Sequence, residues 1–379
     1  MRKKKIAICL RDMRIGGVES VFVRMADALL KTGKYELVFI SYVQITNPVY
    51  AEWFAAHPDV KTYALYPSKY LGTDLPHFFL RRIFRSALRG MYRWWRRMTL
   101  SRRRFADVDV FIDFYDMSFV REFKKFRAPK IAWWHSSIKK FLGGDYAHRA
   151  TGYDTMVALT DGFIFDLAKT HPDVAAKTVR IYNPIDIDSV IARAAESPCG
   201  GKYFSYVARL DGDKDAETVI RAFDMFWRGT GGPDVDLVIV GDGHLARDLR
   251  NLASKMAAHK HIVFTGALSN PFGVMAGAMA NILSSYAEGM GVSIIEGMAL
   301  GVTEIASDCP NGPAEILADG DLGFLFRPGM ADELAANMDA VWRGEHPATA
   351  DALRASLRRF DMDTFTSAVS NLIDGFDNN

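Results

Sequence analysis

The chain has 379 residues, 49% hydrophobic and 24% charged, with a mean hydropathy of −0.02, which excludes collagen-like, disordered and membrane-embedded classes and leaves room for two globular domains. Lys and Arg number 47 against 45 Asp and Glu, a net charge of +2, so the overall balance predicts neither nucleic-acid nor membrane binding. Cys9, Cys199 and Cys309 lie far apart; they form neither a metal-ligand spacing nor a disulfide framework, and a reducing compartment is expected.

Met1-Arg2-Lys3-Lys4-Lys5 resembles the basic start of a signal peptide, but the apolar run at 6–10 is too short to complete one. No window reaches the ~20 apolar residues of a membrane span. Short apolar runs then alternate with helical patterns, the signature of parallel sheets covered by helices on both faces. Strands are expected at 5–10, 35–42, 60–65, 108–114, 130–134, 156–159 and 179–182, and again at 203–208, 235–240, 261–265, 280–284, 303–306 and 324–326. This predicts an α/β protein with two Rossmann-like domains facing each other across a cleft: residues 1–184, a linker at 185–200 ending in Ser197-Pro198-Cys199-Gly200, and residues 201–360. An amphipathic helix over 361–379, with Phe365, Val369, Leu372, Ile373 and Phe376 on one face, is expected to cross back to the first domain. Ligands of such sheets sit at the carboxyl ends of the strands.

One segment stands apart in charge. Ten arginines and no acidic residue fall between Arg81 and Arg104, leaving −8 for the rest of the chain. At 100° per residue, Ile83, Phe84, Ala87, Leu88, Met91, Trp94, Trp95 and Met98 share one half of the helical wheel, and Arg81, Arg82, Arg85, Arg89, Arg93 and Arg96 fill the other. Arg97 and Gly90 depart from the pattern. Arginines for anionic headgroups and tryptophans for the acyl boundary predict a peripheral contact with an anionic membrane surface, at the inner face of the cytoplasmic membrane. The alternative is a helix packed on the first sheet with its arginines solvated. No nucleic-acid reader motif accompanies the segment, and no nucleic-acid partner is expected.

Four sites carry candidate chemistry. Gly16-Gly17 follows the first strand and opens a helix whose N–H groups face an anion site. Arg209 and Lys214 stand at a strand end and near a helix start, where two cations suit a diphosphate and the charge of a departing phosphate. Gly241 and Asp242 lie in a second strand-to-helix turn. The segment Glu288-Gly289-Met290-Gly291 then leads from a strand into a helix that contains Glu296, so N–H groups can bind phosphate while Glu296 faces a ribose diol. Asp107-Val108-Asp109 and Asp234-Val235-Asp236 look like metal-binding pairs but enter strands, and no metal site is expected.

Together with His135 in Trp133-Trp134-His135-Ser136, Tyr182-Asn183-Pro184-Ile185-Asp186 and the stretch from Ser307 to Leu317, these motifs resemble the retaining nucleotide-sugar glycosyltransferases of family 4, with the two-domain GT-B architecture, along almost the whole chain. The last segment resembles members that build bacterial lipopolysaccharide, capsule and exopolysaccharide. The resemblance implies transfer of a sugar from a nucleotide diphosphate sugar, with a UDP-sugar expected, to a lipid-linked saccharide, with no cofactor and no metal. It further implies that Arg209 and Lys214 bind the donor diphosphate with amides around Gly17 and Met290-Gly291, that Glu296 holds the ribose, and that Glu288 and His135 lie beside the transferred sugar. Met290, Gly297 and Thr303-Glu304 replace the family's usual Phe, Ala and Pro-Val, and Glu304 sets a charge inside a strand expected to be buried. Two other readings stay open: a catalytically silent membrane-bound scaffold, and another two-domain enzyme such as a sugar-nucleotide epimerase or a phosphorylase.

Overall fold

The computed structural model describes residues 2–13, 17–66 and 105–377. Gly16 and the arginine-rich segment, including Arg81, Arg82, Arg85, Arg89, Arg93, Trp94, Trp95 and Arg96, lie outside the described residues.

The first sheet comprises β1 (Lys4–Leu10), β2 (Tyr35–Val43), β3 (Lys61–Tyr66), β4 (Val110–Asp113), β5 (Lys130–Trp133), β6 (Thr155–Ala158) and β7 (Thr178–Arg180), in the order β3-β2-β1-β4-β5-β6-β7. The second comprises β8 (Tyr203–Val207), β9 (Asp236–Val240), β10 (Ile262–Gly266), β11 (Ala280–Leu283), β12 (Thr303–Ser307) and β13 (Phe324–Phe326), in the order β10-β9-β8-β11-β12-β13. Every pairing is parallel; Ile6, for example, lies between Leu37 and Val110. Both orders reverse beside the first strand of the sheet, which leaves a crevice at its carboxyl end. The strands coincide with the expected ones to within one or two residues; β4 begins at Val110, two residues late. Asp109 spends its side chain on the Lys5 N–H, at 2.7 Å, and on Arg2.

Helices start where side-chain caps allow. Thr160 caps the helix Asp161–Thr170, Asp186 caps Ile187–Glu196, Asp215 caps Ala216–Gly229 and Asp361 caps Met362–Asp374. The last of these buries Phe365, Val369 and Ile373 against the first domain. Phe365 meets Trp133 at 6.0 Å between ring centroids, and Lys4 donates to the Ile373 carbonyl at 2.9 Å. One apolar cluster therefore continues from β1 and β4 through Ile294, Ile295 and Met298 of the helix Val292–Leu300 to this C-terminal helix.

Glu304 does not break β12. It sits in mid-strand, 2% exposed, and accepts a 2.9 Å hydrogen bond from the Asn281 side chain, which is itself bonded by Ser205. Burial pushes the Glu304 carboxyl well above the usual carboxylate range, which favours the neutral acid. Room for it comes from Gly297, where a Cβ would lie 1.7 Å from Glu304 Oε1. Gly297 and Glu304 are thus one adjustment. Gly297→Ala should gain ~1 kcal/mol of helix propensity but lose about 1–3 kcal/mol to overpacking, for no net gain in stability. In a Glu304→Val background the same change should be neutral or stabilising. Urea unfolding of the four proteins tests the coupling, and a higher midpoint for Gly297→Ala alone would refute it.

Candidate active site

A cleft of about 320 Å³ lies between the carboxyl ends of the two sheets. Gly17 and Val18, the first residues of the helix Gly17–Lys31, form one wall; Gly291, Val292 and Ser293, at the start of the helix Val292–Leu300, form the other. Gly291 has φ +88°, which lets the chain turn into the helix, and no side chain caps it. The starts of two helices, each carrying partial positive charge, thus converge on one space.

Lys214 enters that space from the second domain. Its carbonyl accepts from Tyr206 Oη at 2.7 Å and from Ser284 Oγ at 2.8 Å, which fixes the backbone beneath the ammonium. Its Nζ donates to Glu288 Oε1 at 2.5 Å, and Ser285 Oγ donates to the same oxygen at 2.6 Å. Ser285 is held in turn through its carbonyl by Ser307, at 2.7 Å. The cleft therefore contains a cation whose partner is a single carboxylate, available for exchange with a more highly charged anion.

His135 closes the cleft from the first domain. Asp116 Oδ1 accepts from its N–H at 2.9 Å, while Asp116 Oδ2 takes Ser136 Oγ at 2.5 Å and Lys140 Nζ at 2.7 Å. The imidazole packs edge-on against Phe114, 4.6 Å between centroids, and both ring nitrogens are buried without a hydrogen-bond partner. Burial pushes it down to about 4, against the pull of Asp116, so the neutral ring prevails at pH 7. Gly289 touches it across the gap: a Cβ there would stand 2.3 Å from the His135 carbonyl oxygen. Asn183 Oδ1, also on the cleft lining, is likewise buried and unpartnered. Two neutral polar groups thus offer hydrogen bonds to a hydroxylated ligand.

The structure brings together Gly17, His135, Lys214, Glu288, Gly289, Met290 and Gly291. It does not bring in Arg209, whose guanidinium pairs with Asp211 and is 75% exposed, although Ala208 before it lines the cleft. Gly241 and Asp242 also stand outside the lining. A Cβ on Gly241 would lie 1.8 Å from the Ala208 carbonyl oxygen, and the Asp242 carbonyl accepts from Leu210 N–H at 3.0 Å. These two residues therefore support the loop that carries Arg209. Glu296 lies one helical turn beyond Val292 and Ser293, outside the lining. Burial outweighs the nearby charges of Arg24 and Arg193 and pushes it up to about 7. Tyr206, Ser284, Asn183 and Asp116 were missed from the sequence. Asn183 and Asp116 alone carried a signal, as polar residues one and two positions after expected strands. Among the described residues no group of three or more His, Cys, Asp or Glu converges on a metal-sized space.

Residues 190–358 match the family model described as glycosyl transferases group 1. The lipopolysaccharide 1,6-galactosyltransferase of Salmonella typhimurium is 29% identical over 186 residues, 48% of this chain and 50% of the relative. A Campylobacter jejuni enzyme, N-acetylgalactosamine-N,N'-diacetylbacillosaminyl-diphospho-undecaprenol 4-alpha-N-acetylgalactosaminyltransferase, is 27% identical over 192 residues, 50% of each chain. The chain thus spans about half the length of these curated relatives. Solved structures match throughout. The lipopolysaccharide outer core galactosyltransferase WaaB superposes with a TM-score of 0.72 at 21% identity, covering 98% of this chain and 99% of the other. Anabaena HepE in complex with UDP-glucose superposes at 0.73 with 16% identity, covering 98% and 99%. The architecture is GT-B.

Glu296 allows a test by pH. Its folded value of about 7 stands above an ordinary 4.5, so its contribution to stability is complete below pH 4.5 and is lost as pH rises through 7. Asp113, pushed up to about 7 by burial, acts in the same sense. His135, pushed down from 6.5 to about 4, acts in the opposite sense and loses its contribution as pH falls between those values. Glu296→Gln should therefore flatten the decline in melting temperature between pH 4.5 and 7 while leaving the Asp113 and His135 contributions in place; a profile parallel to that of the unsubstituted protein would contradict the assignment.

Proposed function

We propose that the chain transfers a sugar, with retention of anomeric configuration, from a nucleotide diphosphate sugar to a hydroxyl of a lipid-linked saccharide in the assembly of bacterial surface polysaccharide. The observation that carries this reading is the convergence of two helix N-termini and Lys214 on one cleft. Such an arrangement suits a diphosphate in the ground state and, more strongly, the charge that develops on it as it leaves. The galactosyltransferase and diphospho-undecaprenol names of the relatives, and the UDP-glucose bound to HepE, support a UDP-sugar donor and a lipid-linked acceptor.

In this reading the diphosphate displaces Glu288 from Lys214, and Glu288 turns to the sugar. His135 and Asn183 hydrogen-bond the sugar hydroxyls as neutral groups. The bond from the anomeric carbon to the diphosphate oxygen breaks while the acceptor oxygen bonds to the same face, and the acceptor proton passes to the leaving oxygen. Charge stabilisation falls to Lys214 and the amides of the two helix starts, so turnover should persist in a chelator. Glu296, one turn behind Val292, would reach the ribose after a small rearrangement of its side chain, and Arg209 would join by leaving Asp211.

Lys214→Ala should lower turnover of the accepted UDP-sugar by ~10²-fold or more with the circular dichroism spectrum unchanged. Near-normal turnover would remove the diphosphate assignment. A thermal-shift panel of UDP, GDP and ADP decides between the enzyme and a silent scaffold, since only the enzyme should be stabilised selectively by one of them. We further propose that the segment with Arg85, Arg89, Arg93 and Arg96 meets an anionic membrane surface, on its sequence pattern. Replacing these four by Glu should abolish co-sedimentation with anionic liposomes, and unchanged sedimentation would assign the segment to packing within the protein.

A further inference from the structure

A second cavity, about 530 Å³, opens in the first domain alone, and no residue of the cleft contributes to it. One side is the short helix Val120–Phe123 and the residue after it, which present Arg121 and Lys124; the other is the helix Tyr146–Ala150, which presents His148 and Arg149. Asp145 supplies the single carboxylate among the lining residues, against three permanent cations. Arg121 and Lys124 are exposed and engage no carboxylate among the described residues. Their neighbour Glu122 is turned inward, buried, with Tyr42 Oη 3.4 Å away. Arg149 lies 5.0 Å from the centroid of the Tyr146 ring, which orients its guanidinium. Unneutralised cations around a concave space of this size favour an anion larger than a single carboxylate.

The cavity's floor and the active cleft share one loop. Met117 and Ser118 line the cavity, and Asp116, directly before them, holds the His135 N–H. Asp116 and Met117 both adopt left-handed backbone, φ 48° and 57°, a conformation unfavourable for residues with a side chain. Buried Asp113 maintains it by accepting from the N–H groups of Phe119, at 2.6 Å, and Tyr115, at 3.3 Å.

We propose that this cavity binds a phosphate or diphosphate group of the acceptor, placing the attached saccharide along the Asp116 loop toward His135. The word acceptor rests on the glycosyltransferase reading; the anion site rests on the cavity. In the test, calorimetry follows inorganic diphosphate and farnesyl diphosphate titrated into the full chain with UDP present at saturation, so that the cleft is filled. Both probes should bind the unsubstituted protein and weaken at least tenfold in R121E/K124E, with UDP affinity unchanged and binding restored in R121K/K124R. Tighter binding of farnesyl diphosphate identifies a lipid-linked source, and equal binding identifies a soluble phosphate compound; either upholds the site. No diphosphate binding beside UDP, or equal binding by R121E/K124E, overturns it. Absence of UDP binding with the tenfold difference intact would overturn the donor reading and leave this site standing.

Discussion

The Glu315 carboxylate reaches from the second domain into the first, where it accepts from the N–H groups of Asp161 at 3.1 Å and Gly162 at 3.0 Å and from Tyr182 Oη at 2.6 Å. It supplies the negative charge that the start of the helix Asp161–Thr170 favours. Asn311, a few residues earlier, accepts from Ile138 N–H at 3.3 Å, and Arg359 grips the carbonyls of Glu315 and Ile316 from behind. These contacts set the distance between the sheets. Without them the starts of the Gly17 and Val292 helices would address solvent separately rather than one space together. The chemistry of the cleft is in this sense a property of the domain interface more than of either sheet.

Strand positions were legible in the sequence because parallel strands buried on both faces read as continuous apolar runs. Several residues of the cleft lining were legible for a different reason: glycines and charges at strand-to-helix turns are uncommon together, and Gly17, Lys214 and the stretch from Glu288 to Gly291 occupy such turns. What stayed hidden depended on register. Tyr206 and Ser284 are ordinary strand residues by composition, and only the adjacency of β8 and β11 shows that both hold the Lys214 carbonyl. Gly241 looked like a ligand contact because a glycine after a strand has two explanations, and here close approach to Ala208 is the operative one. Glu304 looked disruptive because its partners, Asn281 and the missing Cβ of Gly297, lie 23 and 7 positions away in sequence.

Burial shifts the polar groups in and behind the cleft toward their uncharged forms. His135 loses its proton affinity, Glu296 and Glu304 retain theirs, and Asn183 is neutral by nature. Lys214 and Glu288 supply a charged pair at the centre. In the proposed reading such a site would separate two recognition tasks: a diphosphate met by charge and amides, and hydroxyl groups met by neutral donors and acceptors whose strength varies little with ionic strength. The second cavity, with its cations nearer solvent, should by contrast feel salt.

The return of the C-terminal helix to the first domain has a consequence for synthesis. Ile185 N–H bonds to the Phe360 carbonyl at 2.9 Å, so the chain leaves and re-enters the first domain at adjacent points. A nascent chain that has emerged only through the linker lacks Phe365, Val369 and Ile373, and an apolar strip beside Trp133 stays wet until the second domain has been made. The domain that begins first is therefore completed last.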